Sequence, residues 1–146
     1  MQGSTLAAVA VGTVLGVFAT LVTDHLRWRR ERSERDRDAL RAAFTDYLTA
    51  LSQARAAFSR AEPSLGRVGE GHVVISEYGV YTAQHRLELV ARGALVDRAR
   101  GATLSVLDLY DVVVAGHLPD SGEYLRAWQA ARRTRTALVG EMRRAL

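Results

Sequence analysis

The chain contains no cysteine, no lysine and no asparagine. Without cysteine there is no disulfide, no thiol nucleophile and no thiolate ligand for a metal. Without lysine a P-loop loses its phosphate-binding cation and Schiff-base chemistry loses its amine. Without asparagine there is no N-glycosylation acceptor, and several catalytic arrangements fall away. Isoleucine occurs once, at Ile75, and all 20 basic residues are arginine. Lysine, asparagine and isoleucine, missing or rare here, are residues with A- and T-rich codons, which points to a genome rich in G and C. Proline is nearly missing too, with Pro63 and Pro119 alone.

Charge is missing from one long segment. No ionisable side chain lies in the 22 residues from Gln2 to Thr23. As a helix at 1.5 Å per residue that run is about 33 Å long, against about 30 Å for a bilayer's hydrocarbon core, so one crossing is predicted. A cleaved secretory signal would place its positive charges before the apolar run and a small-residue cleavage site after it. Here no arginine precedes the run, and Thr20, Leu21, Val22 and Thr23 follow Ala19. An uncleaved anchor over residues 1–23 is the expectation. The basic residues Arg27, Arg29, Arg30, Arg32, Arg35 and Arg37 crowd behind it, and arginine flanking a span stays on the cytoplasmic side. The N-terminus is expected outside and residues 24–146 in the cytoplasm.

Two features of the anchor suggest contacts. Ser4, Ala8, Gly12, Gly16 and Thr20 put a small residue at every fourth position, and Gly12 and Gly16 form a G-x-x-x-G pair along which two membrane helices approach closely. The bland alternative is that small residues are common in membrane helices. Arg27, Trp28, Arg29 and Arg30 form the expected membrane-interface group, with an indole suited to the headgroup layer and guanidinium groups suited to anionic lipid. The overall charge is +4, from 20 arginines against 16 acids, and six of the arginines lie beside the anchor, between Arg27 and Arg37. That favours anionic lipid over nucleic acid as the electrostatic partner.

Residues 24–39 read as a charged stalk and 40–146 as one helical bundle, long enough for a single core. No proline or glycine interrupts Asp24 to Glu62, so the membrane helix is expected to continue as a rod. Leu40, Phe44, Tyr47, Leu51, Ala54, Phe58 and Ala61 recur at spacings of 4 and 3, the a/d stripe of a packing seam. This periodicity suits packing within one chain or between two. The same register lands on Arg37, Ser33 and Arg30 when traced backward, so packing should begin near Leu40. Glu31 with Arg35 is a favourable i, i+4 pair and Glu34 with Asp38 an unfavourable one.

Residues 62–72, with Pro63 and three glycines, have the composition of a flexible connector. Val73 to Arg92 mixes signals: Val73, Val74, Ile75, Val80 and Tyr81 have strand propensity, whereas Ala83 to Ala91 reads as helix. A lone strand would have no sheet to join, so helix is preferred. After Gly93, Leu95, Ala99, Thr103, Val106, Tyr110 and Val113 mark a core helix over Ala94 to Ala115. Gly116 and Pro119 stop it, and Asp120 with Glu123 are spaced as a capping box for a last helix. That helix turns Tyr124, Trp128, Ala131, Leu138 and Met142 inward and Arg126, Arg132, Arg133, Arg143 and Arg144 outward. The fold class is therefore all-α: a single transmembrane helix continuing into a three- or four-helix antiparallel bundle.

Chemistry is sparsely signalled. His25, His72, His85 and His117 lie in separate elements, and none follows a glutamate by three residues as in di-iron bundles. His85 and Glu88 share a helical face, more often a surface contact than a site. The Gly66 to Gly71 stretch follows no strand and lacks lysine, so it reads as linker rather than phosphate loop. Glu88, Asp108 and Asp111 sit beside apolar stripes, where solvated carboxylates are commoner than acid–base pairs. No catalytic residue, cofactor, metal or small-molecule substrate is predicted.

The order of an N-terminal span, an Arg- and Glu-rich juxtamembrane stretch, the seam around Phe44-Thr45-Asp46-Tyr47-Leu48, then Arg86-Leu87-Glu88-Leu89-Val90 and Ala94-Leu95-Val96-Asp97-Arg98-Ala99 before a final helix resembles the small KilB-like membrane proteins of actinobacteria. The resemblance spans most of the chain and implies a link to the transfer and spread of conjugative plasmids or integrated elements. It carries over no site residues. The expected role is a non-enzymatic, single-pass membrane protein whose helical domain binds itself or a protein partner. A membrane-tethered sensor that transmits packing changes along the rod is the alternative. Replacing Gly12 and Gly16 together by leucine is expected to lower the oligomeric size in membranes, measured by in-membrane cross-linking; unchanged size removes homotypic association through this face.

Overall fold

From Asp24 the stretch that lacks proline and glycine is helical without a break as far as Phe58, and α1 runs Gly3–Phe58. The structure, a computed structural model, describes the backbone of residues 3–60 and 66–146 and the side chains of 27–60 and 66–146. The helices α2 Gly71–Glu77, α3 Val80–Val90, α4 Ala94–Val114 and α5 Gly122–Ala145 follow, making five among the described residues, packed as a bundle. The chain divides into two compact units, Met1–Asp38 and Ala39–Leu146.

In the first unit Glu31 accepts from Arg27 at 3.3 Å and forms an ion pair with Arg35 at 3.6 Å, while the Arg32 guanidinium lies 5.4 Å from the centre of the Trp28 ring. All of these side chains are exposed, so the pairs add little stability. Among the described residues no helix is long and apolar enough to cross a membrane. The anchor expected over residues 1–23, with its face of Ser4, Ala8, Gly12, Gly16 and Thr20, lies outside the described side chains.

The second unit holds the core. Phe44, Tyr47, Leu51, Ala54 and Phe58 are buried and Leu40 is half-buried, whereas Ala61 lies outside the described residues. The seam is covered by the same chain. Tyr47 bonds Ala99 and Thr103, and the Phe58 ring centre stands 4.7 Å from that of Tyr110, so α1 and α4 run the same way. Gln84 and Glu88 on α3 face Thr103 and Arg100 on α4 in reverse order, so α3 runs oppositely. Ser105 meets Thr134, and Arg98, earlier on α4, faces Glu141, later on α5, so α5 runs oppositely to α4. α4 contributes Leu95, Ala99, Ala102, Val106, Leu109, Tyr110 and Val113 to the buried set.

The Val73 to Arg92 segment, expected as one helix, is two. Gly79 adopts φ 69°, a left-handed conformation that glycine enters without steric penalty, and it separates α2 from α3. The β-branched residues that suggested a strand divide by exposure: Val80 and Ile75 are buried whereas Val73 is exposed. The cap of α5 also differs from expectation. Ser121, not Asp120, accepts from the Tyr124 amide at 3.2 Å, and Glu123 pairs with Arg126 at 3.0 Å. Ala131, Leu138 and Met142 are buried, but Tyr124 and Trp128 are only half-buried.

The glycine-rich connector is held to α4 where it is described. The Gly69 amide donates to Asp111 at 2.8 Å. A Cβ at Gly66 would stand 2.6 Å from the Tyr110 hydroxyl oxygen, and one at Gly71 would stand 2.9 Å from Cδ1 of the same ring. Absent side chains let this backbone lie flat on Tyr110. Gly71→Ala is therefore expected to destabilise by about 1–3 kcal/mol through overpacking. Gly101→Ala, inside α4 with open space around its Cβ, is expected to stabilise by about 0.5–1 kcal/mol through helix propensity. Urea unfolding midpoints of the two variants check the opposite signs.

Candidate functional site

The most organised polar arrangement among the described residues lies inside the bundle. Tyr47, fully buried on α1, donates its hydroxyl to the Ala99 carbonyl at 2.6 Å and lies 2.8 Å from the Thr103 hydroxyl. Thr103 in turn donates to Gln84 Oε1 at 3.0 Å, and Gln84 Nε2 donates to Glu88 Oε1 at 3.0 Å. Outside the core, Glu88 meets His85 at 3.2 Å and Arg100 at 3.9 Å. A continuous chain thus runs from the centre of the bundle to its surface and ties α1, α4 and α3 together.

Helical spacing explains the convergence. Ala99 and Thr103 are one turn apart on α4, so carbonyl and hydroxyl face the same Tyr47 oxygen; Gln84 and Glu88 are one turn apart on α3. Burying these groups would be costly without the bonds they make. Burial pushes the Tyr47 phenol up to about 12, against a smaller lowering from the Thr103 bond. Hydrogen bonds from Gln84 and His85 hold Glu88 below the usual glutamate range. A second polar tie joins α4 to α5, with the Ser105 and Thr134 hydroxyls 2.7 Å apart.

The surface clefts are shallow. One of about 390 Å³ between α1 and α3 is lined by Asp46, Thr49, Gln53, Thr82 and Arg86, with Asp46 and Arg86 paired at 3.4 Å. Another of about 340 Å³ between α1 and α5 has Phe44, Leu48, Val139 and Met142 on its walls with Arg41 and Arg143. Among the described residues no group of three His, Asp or Glu side chains is placed to hold a metal.

The residues singled out from sequence distribute as follows. Arg27, Trp28, Arg29 and Arg30 are exposed on α1. Asp111 holds the Gly69 amide, Glu88 ends the buried chain, and His85 contacts Glu88. His72 and His117 are exposed on separate elements. Tyr47 and Thr103 stood in apolar stripes without a polar role, and Gln84 was passed over. The available signal was a threonine inside an otherwise apolar α4 stripe, together with a glutamine three residues before buried Leu87. No protein family, curated protein or solved structure matches this chain.

Folding keeps the Tyr47 phenol neutral, so its contribution to stability is complete below the unfolded-state value near 10 and is lost as pH rises through about 12. That loss is on the order of 3 kcal/mol. Tyr47→Phe, which sacrifices about 1 kcal/mol of hydrogen bonding at neutral pH, is expected to lose less further stability than the parent between about pH 8 and 11.5. Urea midpoints at the two pH values check it; equal losses would mean that another group carries the alkaline transition.

Proposed function

We propose that the chain is a non-enzymatic, single-pass membrane protein with its N-terminus outside and its helical bundle in the cytoplasm as an interaction module. The observation that carries this reading is the uncharged run of residues 2–23, with six arginines following between Arg27 and Arg37, and with the chain from Gly3 on the same helix α1 whose later residues enter the core. An unbroken helix of this kind supports a membrane anchor joined to an antiparallel bundle without a hinge of glycine or proline. The exposed Arg27, Arg29, Arg30 and Trp28 group supports contact with anionic headgroups. The layout shared with the KilB-like proteins supports a role in the spread of conjugative elements, the partner being a second copy or a component of the transfer machinery.

A sensor reading has one observation in its favour. The helix expected to cross the membrane is also the one whose Tyr47 is tied to α4 and, through Thr103 and Gln84, to α3. A rotation or shift of α1 would have to break that tie, which gives a membrane event a route into the bundle.

The absence of native cysteine makes topology directly measurable. Gln2→Cys, at the outer end of the expected span, is expected to react with a membrane-impermeant maleimide on intact cells, and Thr136→Cys, exposed on α5, only after the membrane is opened. Reversed labelling overturns the orientation, and release of the protein by alkaline carbonate overturns the anchor.

A further inference from the structure

The chain from Tyr47 to Glu88 has a mismatch in its hydrogen atoms. Three contacts, Tyr47 to the Ala99 carbonyl, Tyr47 to Thr103 and Thr103 to Gln84 Oε1, share two hydroxyl protons. A carbonyl and an amide oxygen only accept, and each hydroxyl has one proton to give. With Glu88 ionised, Gln84 must turn its NH2 toward the carboxylate, as it does at 3.0 Å. Its oxygen then faces inward and takes the Thr103 proton. The Tyr47 proton is left to serve both the Ala99 carbonyl and the Thr103 oxygen as a three-centre bond.

The opposite orientation of the Gln84 amide removes the shortage. Its NH2 donates to Thr103, Thr103 donates to Tyr47, and Tyr47 donates undivided to Ala99, so three donors serve three contacts. Gln84 Oε1 then faces Glu88 Oε1, and two acceptors repel unless the carboxyl carries a proton. The two arrangements therefore differ by one proton bound at Glu88 and a half-turn of one amide, with no helix displaced. We propose that the charge on Glu88 sets the direction of this relay, so that neutralising Glu88 at the surface reverses the hydrogen bonds through Gln84 and Thr103 and strengthens the bond that ties α1 to α4 at Tyr47.

The surroundings of Glu88 decide when this happens. His85 on its own helix and Arg100 on α4 face it, and both hold it ionised when charged. On the α1 side Asp46 is taken up by Arg86 and lies on a separate pair. At neutral pH the relay is therefore in its divided state. Acid below the ordinary glutamate range reverses it.

The test uses the full-length chain with 15N-labelled glutamine side chains and 13Cζ-labelled tyrosine. Gln84 and Tyr47 are assigned by the resonances lost in Gln84→Met and Tyr47→Phe. On acidification from about pH 7, the Gln84 amide and the Tyr47 Cζ signals are expected to move together with one midpoint, and that titration should survive in His85→Ala. In Glu88→Gln, whose amide can donate as a protonated carboxyl does, both signals are expected at their acid-limit positions already at pH 7 and insensitive to pH. Unmoved Gln84 and Tyr47 signals in Glu88→Gln at pH 7 overturn the relay even if the parent unfolds before Glu88 titrates. Movement of Gln84 without Tyr47 overturns the coupling through Thr103. Loss of the titration in His85→Ala makes the imidazole the sensor and rejects Glu88.

Discussion

A phenol at the meeting point of three helices constrains this bundle more than any apolar contact does. Tyr47 is fully buried, and its hydroxyl would be expensive to bury without a partner. The Ala99 carbonyl and Thr103 hydroxyl supply those partners, at 2.6 and 2.8 Å. Leucine and phenylalanine seams tolerate sliding, because apolar surfaces attract without direction. A hydrogen bond does not tolerate it, so the axial position of α1 against α4 is set where the tyrosine reaches one particular turn. Thr103 extends the same constraint to α3 through Gln84.

Around that junction α4 serves as the common wall. It receives α1 at Ala99 and Tyr110, α3 through Thr103 and Arg100, and α5 through Ser105. The described part of the glycine-rich connector also lies on it, with the Gly69 amide on Asp111 and the missing side chains of Gly66 and Gly71 leaving room for the Tyr110 ring. Tyr110 thereby packs on Phe58 from one side and carries the connector on another. The break at Gly79 separates α2 from α3, and both lie against α4.

Arginine alone supplies the positive charge, and its planar head is used in more than one way. Two guanidinium groups lie over indoles, Arg32 over Trp28 and Arg132 over Trp128, at 5.4 and 5.5 Å from the ring centres. Others pair with glutamates one turn away on the same helix. These exposed contacts shape the surface without holding the fold. The functional reading rests instead on the continuity of α1, which carries both the uncharged run and the seam residue that the core is built around.

Much of this architecture was legible in the chain. The α4 stripe from Leu95 to Val113 and the seam from Phe44 to Phe58 repeat strongly enough for their burial to follow from periodicity, and Gly93 and Gly116 punctuate as glycine should. The break at Gly79 was not legible, because a single glycine inside a helical pattern is tolerated as often as it interrupts. Nor was the choice of Ser121 over Asp120 as cap, since both residue types fill that role and only the backbone trajectory decides. The candidate site was the least legible: Tyr47, Gln84 and Thr103 are far apart in sequence, and each alone fits an apolar or neutral helical position. By itself the sequence determined the helical class, the uncharged segment and the apolar faces, because these depend on residue type and local spacing. The tertiary structure decided that the seam closes within one chain and that three dispersed polar residues meet, because hydrogen bonds between helices depend on axial register, which periodicity leaves open.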